Sequence, residues 1–333
     1  MATEREVAGM RKALELADHG RGLTSPNPSV GAVVLDPAGE IIAEGTTEAP
    51  GGRHAEVVAL EAAGARAAGA TMISTLEPCS HVGRTGPCAV AIIDAAIARV
   101  VFAHRDPHPT AAGGAALMRA KGIDVEEGVL EDEAAESMHP WLTSLRLGRP
   151  HVTWKSAHSL DARIAAGDGS PAWVSSEEAR LDAHRRLRAK ADAIVVGSAT
   201  IHADDPALTV RTGHAGLDAR SPLRVVLDRQ SSVPATARAL DSAGDNLLTA
   251  GAPREVLDEL RDRGVVDVLI EGGPTVGSAF FREGLVDRLV LYVAPKLLGT
   301  SGPPAMSPSL EQLELLDATP VGPDLRLTYS VAR

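Results

Sequence analysis

His54-Ala-Glu56 and Thr75-Leu-Glu-Pro-Cys-Ser-His-Val-Gly-Arg-Thr-Gly-Pro-Cys88 are the stretches on which the reading of this chain turns. They hold its only two cysteines, Cys79 and Cys88, each directly after a proline. One histidine and two thiolates are soft ligands of the kind a catalytic zinc takes, with its fourth position kept for water. Glu56, two residues from His54, is a carboxylate able to move the proton of such a water. The plainer alternative is a structural zinc clip or a pair of buried thiols. A structural zinc takes four protein ligands, and only His81, His104 or His108 could supply the fourth. Glu56 beside His54 and the proline before each cysteine favour the open, hydrolytic site. Zinc deaminases carry His-x-Glu followed by Pro-Cys-x-x-Cys. The first half is present here, whereas eight residues instead of two separate the cysteines.

Local patterns bring these residues together. An apolar strand over 70–76 delivers Glu77-Pro-Cys79, an alanine-rich helix over 54–68 starts at His54, and a helix over 87–98 carries Cys88 in its first turn. One strand end and two helix starts thus converge, and helix N-termini favour thiolates. Around them lie a helix over 4–18, with Val7, Met10, Leu14 and Ala17 at helical spacing, and strands over 30–35 and 41–44 joined by the turn Asp36-Pro-Ala-Gly39. A strand over 99–103, a helix over 112–122 and a short strand over 123–127 complete the alternation of one layered α/β domain. The helix over 138–149 ends in Gly148-Arg-Pro150, a stop signal that sets the boundary between domains 1–148 and 149–333.

The second half has its own alternation. Strands are expected over 152–155, 193–197, 223–228 and 265–270, with 286–293 as the last long strand. A charged helix is expected over 176–190 with Ser176 as its cap, and loops over 159–169 and 203–206. The strand over 265–270 runs into Glu271-Gly-Gly-Pro-Thr-Val-Gly277 and a helix. Such a turn lets backbone N–H groups approach a phosphate.

The 333 residues allow two domains of ordinary size, with a core resting on Val, Leu, Ile and Ala because aromatics are 2%. A net charge of −11 without a basic tract argues against a nucleic-acid partner. Residues 1–20 lack a signal-like apolar stretch, and no segment nears the ~20 apolar residues of a membrane span. With two cysteines and no disulfide framework, the cytoplasm is the expected compartment.

Taken with Ser25-Pro-Asn-Pro-Ser-Val-Gly-Ala-Val33, the metal stretch resembles the deaminase domain of the bifunctional riboflavin-biosynthesis deaminase–reductase family, which has the longer gap between its cysteines. Residues 154–164, 196–211 and 294–299 resemble the family's reductase domain. The resemblance implies a cytidine-deaminase-like three-layer domain followed by a dihydrofolate-reductase-like domain. It implies zinc-dependent deamination of a phosphoribosylaminopyrimidine, with zinc on His54, Cys79 and Cys88, Glu56 moving the proton, and Asn27 on the pyrimidine. It implies NADPH-dependent reduction of the ribose to ribityl in the second domain. There Ala157, Trp173, Thr200, Asp204 and the turn Gly273, Pro274, Thr275, Val276, Gly277, Ser278, Ala279 would hold NADPH. Lys155, Ser170, Arg188, Leu208, Arg211 and Glu271 would hold the substrate, with both arginines gripping its phosphate bidentately. The family is commonly oligomeric, so a homo-oligomer is expected.

Three departures from the family pattern stand out. Thr47 replaces a histidine seven residues before His54, Ala162 replaces a glycine after Asp161, and Pro171-Ala172 replaces a polar pair. The last of these suggests a second reading, a deaminase whose second domain only binds or oligomerises. A third is a zinc-stabilised nucleotide-binding regulator without turnover.

Overall fold

In the computed structural model, residues 1–81, 86–167, 174–213, 220–242, 244–306 and 312–331 are described. They form two units, Met1–Leu142 and Thr143–Arg333. Among them no helix is long and apolar enough to cross a membrane.

In the first unit a five-stranded sheet has the order β2-β1-β3-β4-β5. Its strands are β1 (Gly31–Leu35), β2 (Ile41–Thr46), β3 (Thr71–Leu76), β4 (Arg99–His104) and β5 (Asp124–Glu127). β1 is antiparallel to both β2 and β3, and β3, β4 and β5 run parallel. The nearly continuous burial of β1 and β3 reflects cover on both faces. Helices α1 (Glu4–Gly20) and α5 (Glu131–Ser137) pack together on one side. On the other lie α2 (Ala55–Ala63), α3 (Cys88–Asp94) and α4 (Gly114–Ala120). α1 begins with the capping box of Thr3 and Glu6. α2 lies so close on β2 that a Cβ at Gly45 would stand 2.2 Å from the Ala55 carbonyl oxygen. That contact fixes where α2 starts, and therefore where His54, its N-cap residue, stands.

Helix α6 (His139–Leu147) leads to an eight-stranded sheet of order β12-β13-β11-β6-β10-β7-β8-β9. The parallel strands are β6 (His151–Ser159), β7 (Ala193–Gly197), β8 (Leu223–Leu227), β9 (Asn246–Thr249), β10 (Asp267–Ile270) and β11 (Arg288–Ala294). One core cluster joins Trp154, Val195 and Ile270 to α9 (Pro253–Asp262) and α10 (Pro274–Arg282) through Leu257 and Phe280. On the opposite face, Ala179 and Ala183 of α7 (Glu177–Ala183) pack on Val290 and Tyr292.

Four expectations change. β6 runs on to Ser159, because its whole length pairs with β11. Ala203 and Asp204 are not loop: they close the helix α8 (Ser198–Asp204), and the turn begins at Asp205. The charged helix is α-helical only to Ala183 and continues as one π-helical turn, His184–Arg188. β11 is not the last strand, since the antiparallel hairpin of β12 (Leu313–Val321) and β13 (Asp324–Val331) extends the sheet. Pro320 and the mostly exposed face of β12 hide this edge strand from a pattern search.

Candidate active sites

In the first unit the metal-type residues meet. Ligand atoms of His54, Cys79 and Cys88 all lie within 4.8 Å of one another. His54 Nδ1 is 3.6 Å from Cys79 Sγ and 3.3 Å from Cys88 Sγ. The Cys88 backbone N–H donates to Cys79 Sγ over 3.4 Å, so the first turn of α3 supports that sulfur. Both cysteines are buried with Ala111. Glu56, only 4% exposed, has Oε2 3.5 Å from Cys88 Sγ.

The electrostatics are those of a site built to hold a cation. The two sulfurs share a proton, so the hydrogen bond from Cys88 takes Cys79 down to about 4, while that bond, burial and nearby Glu56 push Cys88 up. Hydrogen bonding to Cys79 raises His54. Burial raises Glu56 to about 7. These crowded, buried donors contend for the same protons, and a cation bound to them would hold the sulfurs deprotonated. A zinc ion on the two sulfurs and the imidazole fits that role, and thiolate with imidazole is the donor set zinc prefers. Among the described residues no fourth protein ligand joins the group. His104 Nδ1 is 2.6 Å from the Arg105 carbonyl oxygen and His108 Nδ1 is 2.8 Å from Thr110 Oγ1. This favours the open hydrolytic site over the structural clip.

A cleft of ≈ 280 Å³ opens beside these residues, lined among others by Asn27, Thr47, His54, Glu56, His81 and Trp141. Thr24 fixes the Asn27 loop by accepting from Asn27 N–H at 2.9 Å and donating to the Asn27 carbonyl at 3.1 Å. Thr47 spends its hydroxyl on the Val30 backbone, where Oγ1 accepts from the N–H at 3.2 Å. Two contributors went unread in the sequence. Trp141 comes from α6, far along the chain. Glu77, buried between β3 and Cys79, accepts from the N–H groups of Asp106, Gly113 and Ala115 at 3.3, 3.1 and 3.0 Å. It thereby ties the loop that carries His108 to the cysteine strand. Its position before Pro78-Cys79 was the available signal.

In the second unit the charged residues named for the substrate also gather. Arg188 donates from Nε and Nη2 to the two Glu271 oxygens, at 2.5 and 2.7 Å. The Arg188 fork is thus engaged by Glu271, a partner that the sequence reading did not foresee. A buried guanidinium needs such a partner. Burial would raise Glu271, but Arg188 and then Lys155 outweigh it and bring it to about 2. Burial lowers Lys155, whose Nζ stands 5.8 Å from the Tyr292 ring centroid. Leu208 is buried in a core cluster with Ile194 and Ile201, in a left-handed conformation, φ 52°. Arg211 is exposed and carries no ion pair among the described residues. His184, unread in the sequence, completes the group.

The cofactor residues are less uniform. The start of α10 is open, with nothing within 4 Å of a Cβ built on Gly273. A nine-residue helix with free N–H groups at its start suits a phosphate, so this end fits a dinucleotide. Gly277 and Ser278 instead face the sheet, and a Cβ at Gly277 would stand 1.9 Å from the Trp154 indole. Thr200 and Asp204 lie on α8, which starts beside α10, since a Cβ at Gly197 would stand 2.7 Å from Val276. Ala157 shares the Lys155 face of β6 and packs with Tyr292, away from α10. Ser170, Pro171, Ala172 and Trp173 lie outside the described residues. Ala162 holds a left-handed backbone, φ 57°, which glycine adopts at less cost.

Residues 3–104 match the cytidine and deoxycytidylate deaminase zinc-binding region, and residues 150–327 the RibD C-terminal domain. The riboflavin biosynthesis protein RibD of Mycobacterium tuberculosis is 51% identical over 292 residues, which cover 87% of this chain and 85% of that protein. The Escherichia coli RibD is 38% identical, covering 96% and 97%. Among solved structures, Acinetobacter baumannii RibD superposes with a TM-score of 0.89 at 37% identity, covering 99% of each chain. The Thermotoga maritima diaminohydroxyphosphoribosylaminopyrimidine deaminase/5-amino-6-(5-phosphoribosylamino)uracil reductase also scores 0.89, at 31% identity and 98% and 99% coverage.

Proposed function

The chain belongs to the bifunctional riboflavin-biosynthesis deaminase–reductase family, and on that premise we propose which of its residues carry each reaction. The enzyme deaminates 2,5-diamino-6-(5-phosphoribosylamino)pyrimidin-4-one hydrolytically with zinc, then reduces the ribosyl group to ribityl with NADPH. A non-reducing second domain is not favoured, since the reductase-domain match spans residues 150–327.

His54, Cys79 and Cys88 hold the zinc. When bound, zinc activates a water as the nucleophile for the amine-bearing ring carbon. Glu56 takes one proton from that water and passes it to the ring nitrogen, then carries the remaining hydroxyl proton to the amine, which leaves as ammonia. Asn27 orients the pyrimidine, and Thr47 leaves that side of the cleft without the family's histidine. The observation that carries this reading is the convergence of one imidazole, two sulfurs and one buried carboxylate beside a single cleft.

For the reduction, NADPH when bound supplies the hydride for the sugar's C1. The open turn at Gly273–Val276 with Thr200 and Asp204 holds its phosphate-bearing part, and Ala157 and Trp173 complete the cofactor site. Lys155, Ser170, Leu208, Glu271 and Arg188 shape the substrate pocket, where Arg188 also keeps Glu271 in place, and Arg211 meets the phosphate. The functional boundary falls at Gly148/Arg149. The enzyme works in the cytoplasm as a homo-oligomer on this small phosphoribosyl pyrimidine, without nucleic acid or membrane.

Glu56→Gln tests the assignment. Zinc content should stay at wild-type level while deaminase kcat falls by roughly 10²–10⁴-fold, the range of a general acid–base group. Wild-type ammonia release by that variant would sink it.

A further inference from the structure

The segment that carries Arg211 has no regular structure of its own over 205–211. It is held from one side by the π-helical turn His184–Arg188. His184 Nδ1 accepts the Arg211 backbone N–H at 2.8 Å. Arg185 Nη2 donates to the Thr212 carbonyl at 3.1 Å, and Arg188 Nη1 donates to the Thr209 carbonyl at 2.9 Å. Single π turns are rare and recur at functional sites. This one brings three side chains onto four consecutive residues. Leu208, buried with φ 52°, marks the other end of the held segment.

We propose that His184 is a positioning residue for the reductase: its imidazole pins the backbone of Arg211 and so presents that guanidinium to the substrate's phosphate. The inference rests on reading Arg211 as the phosphate-binding residue. It follows because Arg188 is engaged by Glu271, whereas Arg211 is exposed and carries no ion pair among the described residues. The role requires a neutral ring, since only a deprotonated Nδ1 can accept the amide. The surroundings supply it: burial first, then Arg188, Arg211 and Lys155 against the opposing Glu271, bring His184 down to about 4. The ring proton therefore sits on Nε2 at neutral pH.

Asparagine places its Oδ1 near the position of Nδ1, so His184→Asn keeps the acceptor and His184→Leu removes it. Steady-state NADPH oxidation is measured with 5-amino-6-(5-phosphoribosylamino)uracil for both variants, for Arg211→Met and for the double variant His184→Leu/Arg211→Met. Deaminase turnover by the same preparations gives the concentration of folded enzyme. His184→Leu should raise KM about tenfold with kcat within about twofold, the size of one lost positioned hydrogen bond. His184→Asn should restore most of the KM, and the double variant should be no worse than Arg211→Met alone. If Arg211→Met raises KM but His184→Leu does not, or the two effects multiply, His184 has no such role. If Arg211→Met itself leaves KM unchanged, the reading of Arg211 fails and the proposal falls with it.

Discussion

The metal site and the reductase pocket solve the same problem, holding charge out of water, by different means. In the first unit four side chains meet within one small cluster, and each is set by a strand end or a helix start. His54 caps α2, Cys88 opens α3, and Cys79 follows β3. The donors there are of the kind that an external cation completes. In the second unit the compensation is internal. Arg188 and Glu271 neutralise each other, and burial lowers Lys155 and His184 beside them. A site completed by its own ion pair joins binding to stability.

The largest expected effect breaks this comparison most directly. Cys88→Ala, or exhaustive chelation of the wild type, should abolish deamination and leave NADPH oxidation with the deaminated substrate unchanged. Loss of both activities would show that the second unit also depends on the metal. Next, Glu271→Gln leaves Arg188 buried without its counter-charge and should destabilise the second unit by about 3–5 kcal/mol in chemical denaturation. The pH dependence follows from the sign of the shift. Glu271 lies at about 2 against an ordinary 4.5, so its contribution is full above pH 4.5 and is lost as pH falls towards 2. The gap in midpoint between wild type and Glu271→Gln should therefore close over that window, and a gap independent of pH would contradict the ion-pair account. The smallest effect concerns backbone alone. Ala162→Gly should stabilise by about 0.5 kcal/mol, the ~1 kcal/mol relief of a left-handed alanine less glycine's extra freedom when unfolded. A destabilised variant would mean that the methyl group packs usefully.

The same contrast explains what was legible in the sequence. Cysteine and histidine are scarce, their ligand chemistry is specific, and a proline marks each cysteine, so the metal residues could be named before any fold was known. The strand–helix alternation was legible because β1 and β7 are uninterrupted apolar runs. The reductase pocket uses common residue types whose meaning depends on partners distant in the chain. Arg188 and Glu271 are 83 residues apart, and no local pattern says that one guanidinium is taken while another is free. The left-handed Leu208 and the π turn were equally closed to pattern reading, because both are imposed by packing. Trp141 escaped for the same reason, since its place in the cleft depends on where α6 lies.

The turn at His184–Arg188 also bears on how this chain can change length. A π turn spans its bonded pair with one residue more than an α turn does, so it is a place where a single-residue insertion is absorbed without disturbing the cap at Ser176 or the start of β7 at Ala193. Removing Arg185 or Arg186 would let the helix close normally, at the cost of rotating His184 relative to Arg188. Evolution could thus adjust the grip on the 209–212 segment by gaining or losing one residue, with both flanking elements kept in register.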